Sequence, residues 1–348
     1  MVENAKKSAE VTRQNFIMHI IIKSLAKIFS DRRSEMAKKG DAPRKISPWK
    51  KTVRRDWQLY LLLIFPLALV FLFNYAAYPG LRMIFYDYKV MKGFEGSKWV
   101  GLSNFKTLFS SSQFLSALKN SMVFNVLDLI LGFPMPIILA LMLNELRFKH
   151  FKKVSQTILY LPHFLSWAVI GSVAFALFRT SSGFVNILLE KWGLIQEGIP
   201  FLTDKWHWAV VYLLVAVWQS MGWGTILYLA AISSISGELY EAAMIDGANR
   251  WQRMWHITLP GMRSTIVTLL ILSLGRIMGS NLERLTAFDN ALVRDFQYQL
   301  AVYVYQFGLK SQHFSLATAA NLFQSTIGLI LVLISDRIAK ALGENGLL

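Results

Sequence analysis

Two apolar stretches of the sequence carry polar or small residues at intervals of four, three and four positions. On a helix, this spacing places each set of residues along one face. Hydroxyl, amide and carboxylate groups on such a face can line the path of a polar solute, or they can bond to a neighbouring helix. The two sets are Ser121, Asn125, Asp128 and Gly132, and Ala317, Asn321, Gln324 and Gly328.

A third apolar stretch holds Arg276, with Ser280 four positions later. A charged side chain at bilayer depth is costly, so it normally faces a bundle interior or an aqueous cavity. Two interpretations stay open: the polar faces line a translocation path, or they bond helices together, with Arg276 paired to Asp128 or to another subunit. Flat aromatic faces such as that of Tyr228 suit the apolar C–H patches of sugar rings. The candidate path residues are Asn125, Asp128, Tyr228, Arg276, Ser280, Asn321 and Gln324.

The elements that must position these side chains are membrane-spanning helices. The 348-residue chain is 54% hydrophobic, with a mean hydropathy of +0.39, against roughly 45–50% apolar residues in an average soluble domain. Six apolar segments are each long enough to cross about 30 Å of hydrocarbon as a helix. We predict an all-α membrane protein whose six transmembrane helices cover residues 57–78, 121–143, 154–178, 206–235, 264–280 and 314–335.

The formal net charge of +16 is unevenly distributed along the chain. Residues 1–56 hold fifteen Lys and Arg against six Asp and Glu. With the loops on the same side of the six helices, that side carries 24 Lys and Arg, against 12 in the opposite loops. Because Lys and Arg concentrate in cytoplasmic loops, both termini and the loop at 241–260 are predicted to be cytoplasmic. This distribution also argues against a nucleic-acid partner.

Three regions follow from this arrangement: a basic N-terminal tail at 1–56, a six-helix transmembrane domain at 57–336, and a C-terminal tail at 337–348. Apolar residues in the N-terminal tail fall at helical spacing. This pattern favours either an amphipathic basic helix on an anionic membrane surface or a tail helix that packs on the protein. The apolar residues are Phe16, Ile17, Ile20, Ile21, Leu25, Ile28 and Phe29.

Sequence motifs for catalysis are absent. No G-x-x-x-x-G-K-[ST] phosphate-binding loop occurs, so the chain is not expected to hydrolyse ATP itself. There is no cysteine, and the six histidines have no spacing typical of a metal site. Asp128 is the only carboxylate that lies clearly within a predicted helix. A proton relay would need a chain of buried carboxylates and is therefore disfavoured. We therefore expect a non-catalytic chain that binds no cofactor.

A polar loop, residues 241–260, separates the fourth and fifth predicted helices. It reads EAAMIDGANRWQRMWHITLP, and small residues in its first half leave room for another surface to approach closely. This composition favours an ordered structure over a plain linker. It predicts a helix–turn–helix that protrudes from the bilayer to meet a partner. Its distinctive residues are Glu241, Ala242, Ala243, Asp246, Gly247, Ala248, Ile257, Leu259 and Pro260.

The polar loop also resembles a known signature. The pattern EAA-x-x-DGA at 241–248, followed by I-x-LP at 257–260, is similar to the cytoplasmic signature loop of permease subunits of binding-protein-dependent ABC importers. With Tyr240, Trp251 and Trp255, the loop looks like the sugar permease branch related to the maltose system. Met254 departs from the family, which usually has Phe there, but it keeps a bulky apolar group.

The resemblance implies the type I ABC-importer permease fold, in a bacterial cytoplasmic (inner) membrane. The first helix of the polar loop would be a coupling helix that docks into a cleft on a separate ATPase subunit, a case of helix-in-groove recognition. Glu241 would offer its charge to a basic group there, and Asp246 would cap the following helix. The implied partners are a second related permease subunit, two ATPase subunits that hold ATP and Mg²⁺, an extracytoplasmic substrate-binding protein, and membrane lipid.

The function that the resemblance implies is transport of a complex carbohydrate, because residues 92–100 and 317–323 resemble permeases for oligo- and polysaccharides. Arg276 and the basic segment 82–106 suit an acidic oligosaccharide such as an alginate- or pectin-derived oligo-uronate, although a neutral glycan stays open. Two alternatives remain. One is an ABC importer permease for amino acids or peptides, and the other is an ATP-independent secondary transporter, which would not need the polar loop.

Overall fold

The computed structural model describes residues 56–344 and 346 of the chain. The amphipathic helix predicted for the basic N-terminal tail lies outside the described residues. Between residues 56 and 344 the chain is mainly helical, with one β-hairpin. The predicted all-α membrane class is confirmed, and the hairpin is a small addition that the sequence analysis did not predict.

The first helix, α1, covers Trp57–Val70 and contains Pro66. It continues as a π-helical turn at Phe71–Tyr75 and a 3₁₀ stretch at Tyr78–Phe85. No residue of α1 is buried, and the whole segment forms a 29-residue apolar candidate span. A helix satisfies its own backbone hydrogen bonds, so such a segment is compatible with lipid on every side.

An antiparallel β-hairpin follows, in which β1 (Tyr86–Lys89) pairs with β2 (Gly93–Trp99). Its 3₁₀ turn, Val90–Lys92, ends at Gly93, whose φ is 62°. Glycine reaches this left-handed conformation without the steric cost that a Cβ would bring. The Lys92-Gly93 pair therefore closes the hairpin.

The second span consists of two helices that follow one another directly. After the short helix α2 (Ser103–Ser110), α3 (Ser112–Gly132) leads into α4 (Pro134–Asn144) through Phe133. Proline at the start of a helix costs little, because the N–H that it lacks would be unsatisfied there anyway. The 33-residue span begins nine residues before the predicted one.

The third span is broken rather than straight. Helix α5 (Lys149–Tyr160) continues as a 3₁₀ turn, Leu161–Phe164, and α6 (Trp167–Phe178) leaves this segment at an angle of 105°. Ser166 caps α6, its hydroxyl accepting a backbone N–H at 3.4 Å. The third span, predicted over 154–178, is therefore a bent pair of helices and not one straight helix.

The fourth span is a single helix. After the short α7 (Phe184–Lys191), α8 (Lys205–Ser233) runs without a break for 29 residues. Asp204 caps α8, accepting the backbone N–H of His207 and that of Trp206. These bonds, led by that from His207, lower the pKa of the Asp204 carboxyl below its usual range.

After α8, helix α9 (Gly237–Ile245) begins just before the polar loop and ends within it, and α10 (Arg250–Arg253) lies wholly inside the loop. A π-helical turn, Met254–Thr258, then leads into α11 (Leu259–Gly261). The fifth span, α12 (Arg263–Gly275), leaves this segment at an angle of 58°. The polar loop and the fifth span therefore form one bent unit.

Short helices connect the fifth span to the sixth. They are α13 (Leu282–Ala287), α14 (Arg294–Gln297) and α15 (Leu300–Tyr303), followed by a π-helical stretch at Val304–Lys310. A 3₁₀ turn at Ala291–Val293 precedes α14. The sixth span, α16, covers Phe314–Ala341, so the predicted C-terminal tail begins inside a helix.

Helices α12 and α16 approach one another closely through glycine. A Cβ placed on Gly328 would lie 2.5 Å from the carbonyl oxygen of Gly275, and a Cβ on Gly275 would lie 2.5 Å from Val332. Helix α12 ends at Gly275, and Arg276 is its C-cap residue. Arg276 and Ser280 therefore do not share a helical face, and the expectation that they do is wrong.

The number of spans depends on how the bent pairs are counted. Within residues 56–344, four helices are long and apolar enough to cross a membrane. The two bent pairs raise this number to six if each pair counts as one span. The predicted six-span arrangement corresponds to that upper number.

Candidate functional site

The polar loop folds as the helix–turn–helix that its composition predicts. Ser236 caps α9, its hydroxyl accepting the Glu238 N–H at 3.3 Å. The hydroxyl oxygens of Tyr240 and Thr258 lie 3.0 Å apart and join α9 to the π-helical turn that follows α10. The loop therefore has an ordered structure of its own.

Gly247 ends α9 in a left-handed conformation, with φ at 79°. The Gly247 N–H donates to the Met244 carbonyl at 3.2 Å, and the Ala248 N–H donates to the Ala243 carbonyl at 2.8 Å. This pair of bonds is the Schellman arrangement, which satisfies helix carbonyls that would otherwise lack partners. The glycine is thus required by the backbone of the turn.

The cap of the second helix is Asn249, and the expectation that Asp246 serves this purpose is wrong. Asp246 is the C-cap residue of α9. Asn249 and Gln252 form a reciprocal capping box, in which the Gln252 N–H donates to Asn249 Oδ1 at 2.9 Å and the Asn249 N–H donates to Gln252 Oε1 at 2.7 Å. The sequence signal for this capping box was the pair of amide residues Asn249 and Gln252, three positions apart.

Helix α9 keeps almost all of its surface free. No residue of α9 is buried, and Glu241, Ala242 and Asp246 are exposed. Three large apolar residues are also exposed: Leu239 by 55% and, at the tip of the helix, the pair Met244, by 53%, and Ile245, by 87%. Sequence reasoning missed both, since they fill the variable positions of the signature. An exposed apolar tip on a rigid helix is typical of a protein-binding surface.

The second half of the polar loop connects to other parts of the chain. Arg250 Nη1 lies 3.9 Å from Glu145 Oε2, just after α4, and Arg263 Nε lies 2.7 Å from Glu344 Oε1. Ile257 and Leu259 are half-buried, whereas Pro260 is exposed. Partly exposed ion pairs stabilise little. The two ion pairs nevertheless mark where this part of the chain contacts the end of α4 and the residues after α16.

A cavity of about 490 Å³ lies between α3, α4, α8 and α12. It brings together four of the seven candidate path residues: Asn125, Asp128, Tyr228 and Arg276. Pockets of 300–1,000 Å³ with a few polar groups on apolar walls are typical of small-molecule sites. The geometry therefore supports a polar-solute site for these four residues.

The other three candidate residues do not line this cavity. Ser280 lies 3.4 Å from Ser121, hydroxyl to hydroxyl, and Ser121 also accepts the Leu300 N–H at 2.8 Å. This end of the α3 polar face therefore bonds to the connecting segment between the fifth and sixth spans. Asn321 and Gln324 lie on α16, away from the cavity lining.

Asp128 pairs with Arg284, so of the alternatives left open above the pairing of Asp128 with Arg276 is not the one observed. Arg284 Nη2 donates to Asp128 Oδ2 at 2.7 Å, and the guanidinium lies over the Tyr212 ring, 3.8 Å from its centroid. Only 10% of the Arg284 side chain is exposed, so a carboxylate and an aromatic face stabilise its buried charge. Sequence reasoning missed Arg284 because it lies beyond the predicted fifth helix.

The cavity also contains residues that the sequence analysis did not select. His163 and Trp223 both line it, and their rings stack in parallel with centroids 4.6 Å apart. Within residues 56–344, no group of three or more His, Asp or Glu side chains is placed to hold a metal ion. The cavity therefore offers aromatic, amide and charged groups for contact with a solute.

Comparison with known proteins identifies the family to which the chain belongs. A family model described as "Binding-protein-dependent transport system inner membrane component" matches residues 132–344. Protein LplB of Bacillus subtilis (strain 168) is 40% identical over 314 residues, covering 89% of this chain and 98% of LplB. The polygalacturonan/rhamnogalacturonan transport system permease protein YteP of the same organism is 42% identical, covering 83% of this chain and 89% of YteP.

A solved structure has the same fold. It is a bacterial ABC transporter involved in the import of the acidic polysaccharide alginate, and one of its chains is 36% identical, with a TM-score of 0.75. The match covers 84% of this chain and 98% of that chain. With these relatives and the type I permease architecture, the chain belongs to the family of inner-membrane components of binding-protein-dependent transport systems and is a multi-pass membrane protein.

Proposed function

We propose that this chain is the permease subunit of an ATP-driven importer and that it carries an acidic oligosaccharide across the bacterial inner membrane. The observation that carries the proposal is the free surface of α9, where Glu241, Met244 and Ile245 are exposed on a capped, ordered helix. A helix with that surface fits a groove on a second protein. The chain has no phosphate-binding loop, so ATP hydrolysis is assigned to that protein.

The charge of the cavity supports an acidic cargo. Asp128 is engaged by Arg284, whereas the exposed Arg276 has no ion-pair partner among residues 56–344. The cavity wall therefore carries a cation that no carboxylate of the described chain neutralises. A guanidinium binds carboxylates through paired hydrogen bonds, and two similar proteins are named for acidic polysaccharides. Oligo-uronates are accordingly the proposed substrate class.

The proposed assembly has a second permease subunit, two ATPase subunits that bind ATP and Mg²⁺, and an extracytoplasmic binding protein. A solved alginate transporter, 36% identical with a TM-score of 0.74, is in complex with a periplasmic protein that holds an alginate pentasaccharide. Both termini and the polar loop are assigned to the cytoplasm, because Lys and Arg concentrate on that side. Membrane lipid surrounds the apolar spans, and nucleic acid has no part.

Of the two alternatives, the ATP-independent transporter is disfavoured, because such a transporter would not need the polar loop, and the matching family model describes a component of a binding-protein-dependent system. The amino-acid or peptide alternative is tested by competition. The complete importer, reconstituted in proteoliposomes, should take up labelled oligogalacturonate in the presence of ATP. Unlabelled alginate oligosaccharide should compete with it, whereas amino acids and short peptides should not. Competition by amino acids alone would overturn the carbohydrate assignment.

The coupling role is tested in the same vesicles by Glu241→Lys, which should uncouple uptake from ATP hydrolysis while the chain still inserts and assembles. A matched control is Glu190→Lys, the same change at an exposed position of α7. Uptake by Glu241→Lys at the wild-type rate would refute the docking role of this residue.

A further inference from the structure

Two glycines set the position of Trp223 on α8. A Cβ on Gly222 would overlap the carbonyl oxygen of Leu159 near the end of α5, and a Cβ on Gly224 would lie 2.9 Å from Pro136 on α4. The backbone of α8 therefore packs directly against both neighbouring helices. Trp223, between the glycines, lines the cavity with 46% of its surface exposed.

The break in the third span sets the position of His163. This residue lies in the 3₁₀ turn between α5 and α6, where the chain bends by 105°. Its imidazole lies 4.6 Å from the Trp223 indole, centroid to centroid, with only 5° between the planes. Phe164 packs edge-on against the same indole at 5.7 Å. Contacts between α8 and the 3₁₀ turn thus hold His163 and Trp223 as a flat aromatic platform at the cavity wall.

Two buried nitrogens of the cavity lack hydrogen-bond partners within the described chain. They are Asn125 Nδ2 and His163 Nδ1. A buried polar atom without a partner destabilises the state that buries it. A state in which the cavity walls separate, so that hydroxyl groups of a solute reach both nitrogens, is therefore more favourable than a state that leaves the two nitrogens buried without partners. The platform and these two nitrogens belong to one cavity, which also contains the cation Arg276.

We propose that Trp223 and His163 form a stacking subsite for one pyranose ring of the cargo. The apolar C–H face of the ring would lie on the exposed part of the platform, whereas its hydroxyl groups would bond to Asn125 Nδ2 and His163 Nδ1 once the walls separate. Arg276 would bind the carboxylate of a uronate. The inference rests on the proposed function, and it names the groups that recognise the sugar ring itself.

The first test changes the shape of the platform while the complete importer is kept. Trp223→Leu retains apolar bulk but removes the flat face, and Trp223→Phe retains a flat face. Initial uptake of labelled oligogalacturonate should fall roughly tenfold for Trp223→Leu, equivalent to about 1.4 kcal/mol, and by less than about threefold for Trp223→Phe. The control Trp218→Leu, on the same helix, 40% exposed and outside the cavity lining, should transport normally.

The second test separates stacking from hydrogen bonding. His163→Phe retains an aromatic ring against Trp223 but removes both nitrogens, so it should weaken uptake of all oligosaccharides while the importer assembles normally. Asn125→Ala should likewise weaken uptake of all oligosaccharides. ATPase activity stimulated by the binding protein, measured in each variant, shows whether the complex is intact and responds to docking.

The outcomes distinguish the subsite from the proposed function. If wild-type importer takes up no oligo-uronate with ATP, the proposed function fails. If the wild type transports normally and Trp223→Leu and His163→Phe do so as well, only the subsite is overturned. If Trp223→Leu does not assemble, the two variants His163→Phe and Trp223→Phe provide the test. Full transport by His163→Phe would contradict the bonding role. Equal loss of transport by both variants would contradict the stacking and bonding roles.

Discussion

Arg284 Nη2 donates to Asp128 Oδ2 at 2.7 Å, and 156 residues of sequence separate the two partners. The bond joins α13, after the fifth span, to α3 in the middle of the second span. It places a charge pair beside the cavity and leaves Arg276 as an uncompensated cation at its wall among the described residues. We therefore expect selectivity for charge to depend on Arg276 and stability of the bundle to depend on Arg284.

Removal of either member of this pair should destabilise the protein. Arg284→Gln leaves Asp128 without its cation, and Asp128→Asn leaves a buried guanidinium without its anion, each at a cost of up to about 3 kcal/mol. The double variant should lose less than the sum of the two single losses. Thermal unfolding of the purified complex in detergent measures this coupling, and additive losses would show that the pair contributes nothing specific.

Arg276→Ala should alter selectivity rather than stability. The residue is exposed at the cavity wall and has no ion-pair partner in residues 56–344. We expect a larger loss of uptake for an oligogalacturonate than for a neutral oligosaccharide of the same length, because only the former loses a charge-assisted bond. Competition between the two labelled sugars gives the ratio directly. An equal loss of uptake for the acidic and the neutral oligosaccharide would contradict the proposed role of the Arg276 charge.

Ile245→Ser should weaken the association with the ATPase. Ile245 is 87% exposed, and burial of such a side chain in a groove contributes about 1.5–3 kcal/mol, so a tenfold or greater loss of affinity is expected. Binding of the isolated ATPase to the permease pair in nanodiscs measures it. Leu292→Ser, at an exposed position in the 3₁₀ turn before α14, is the matched control and should bind normally.

Gly247→Ala should damage the turn of the polar loop. A Cβ at φ 79° costs roughly 1–2 kcal/mol, and Gly247→Asn should be milder, because asparagine tolerates this conformation better. ATP-driven uptake by the reconstituted importer should fall in the order wild type, Asn, Ala. Gly237→Ala, where a Cβ meets no atom within 4 Å, is the control. Full activity of Gly247→Ala would contradict the conformational role.

Gly222→Ala should disturb the packing of α8 against α5. The added Cβ would overlap the Leu159 carbonyl oxygen, and overpacking of this kind typically costs about 1–3 kcal/mol. We expect a lower thermal midpoint and weaker uptake, since the position of Trp223 depends on this contact. Gly132→Ala, where the new methyl group has no neighbour within 4 Å, should leave the midpoint unchanged or raise it.

Local signals in the sequence predicted a large part of this architecture. Runs of apolar residues located the spans, since crossing a bilayer requires length and hydrophobicity that composition records directly. The polar loop was predicted as a helix–turn–helix from its polar composition and its small residues. Helical periodicity fixes which residues share a face, and Asn125 and Asp128, which the spacing places on one face, both line the cavity.

Other features depended on contacts that periodicity does not report. The partner of Asp128 is 156 residues away, and no local pattern links Arg284 to it. The break after α5 had a signal in Pro162 and Ser166, but a proline within an apolar run is equally consistent with a mild kink. Trp223 could not be distinguished from other aromatic residues, because its position depends on where neighbouring helices meet Gly222.

The exposed tip of α9 has a consequence for the lifetime of the protein in the cell. A chain that has been inserted but has not met its ATPase presents Met244 and Ile245 to solvent, and nothing else in residues 56–344 covers them. Quality-control proteases and chaperones recognise apolar surface of this kind. We therefore expect the abundance of the chain to follow the supply of its ATPase, so that unmatched synthesis of this subunit ends in degradation.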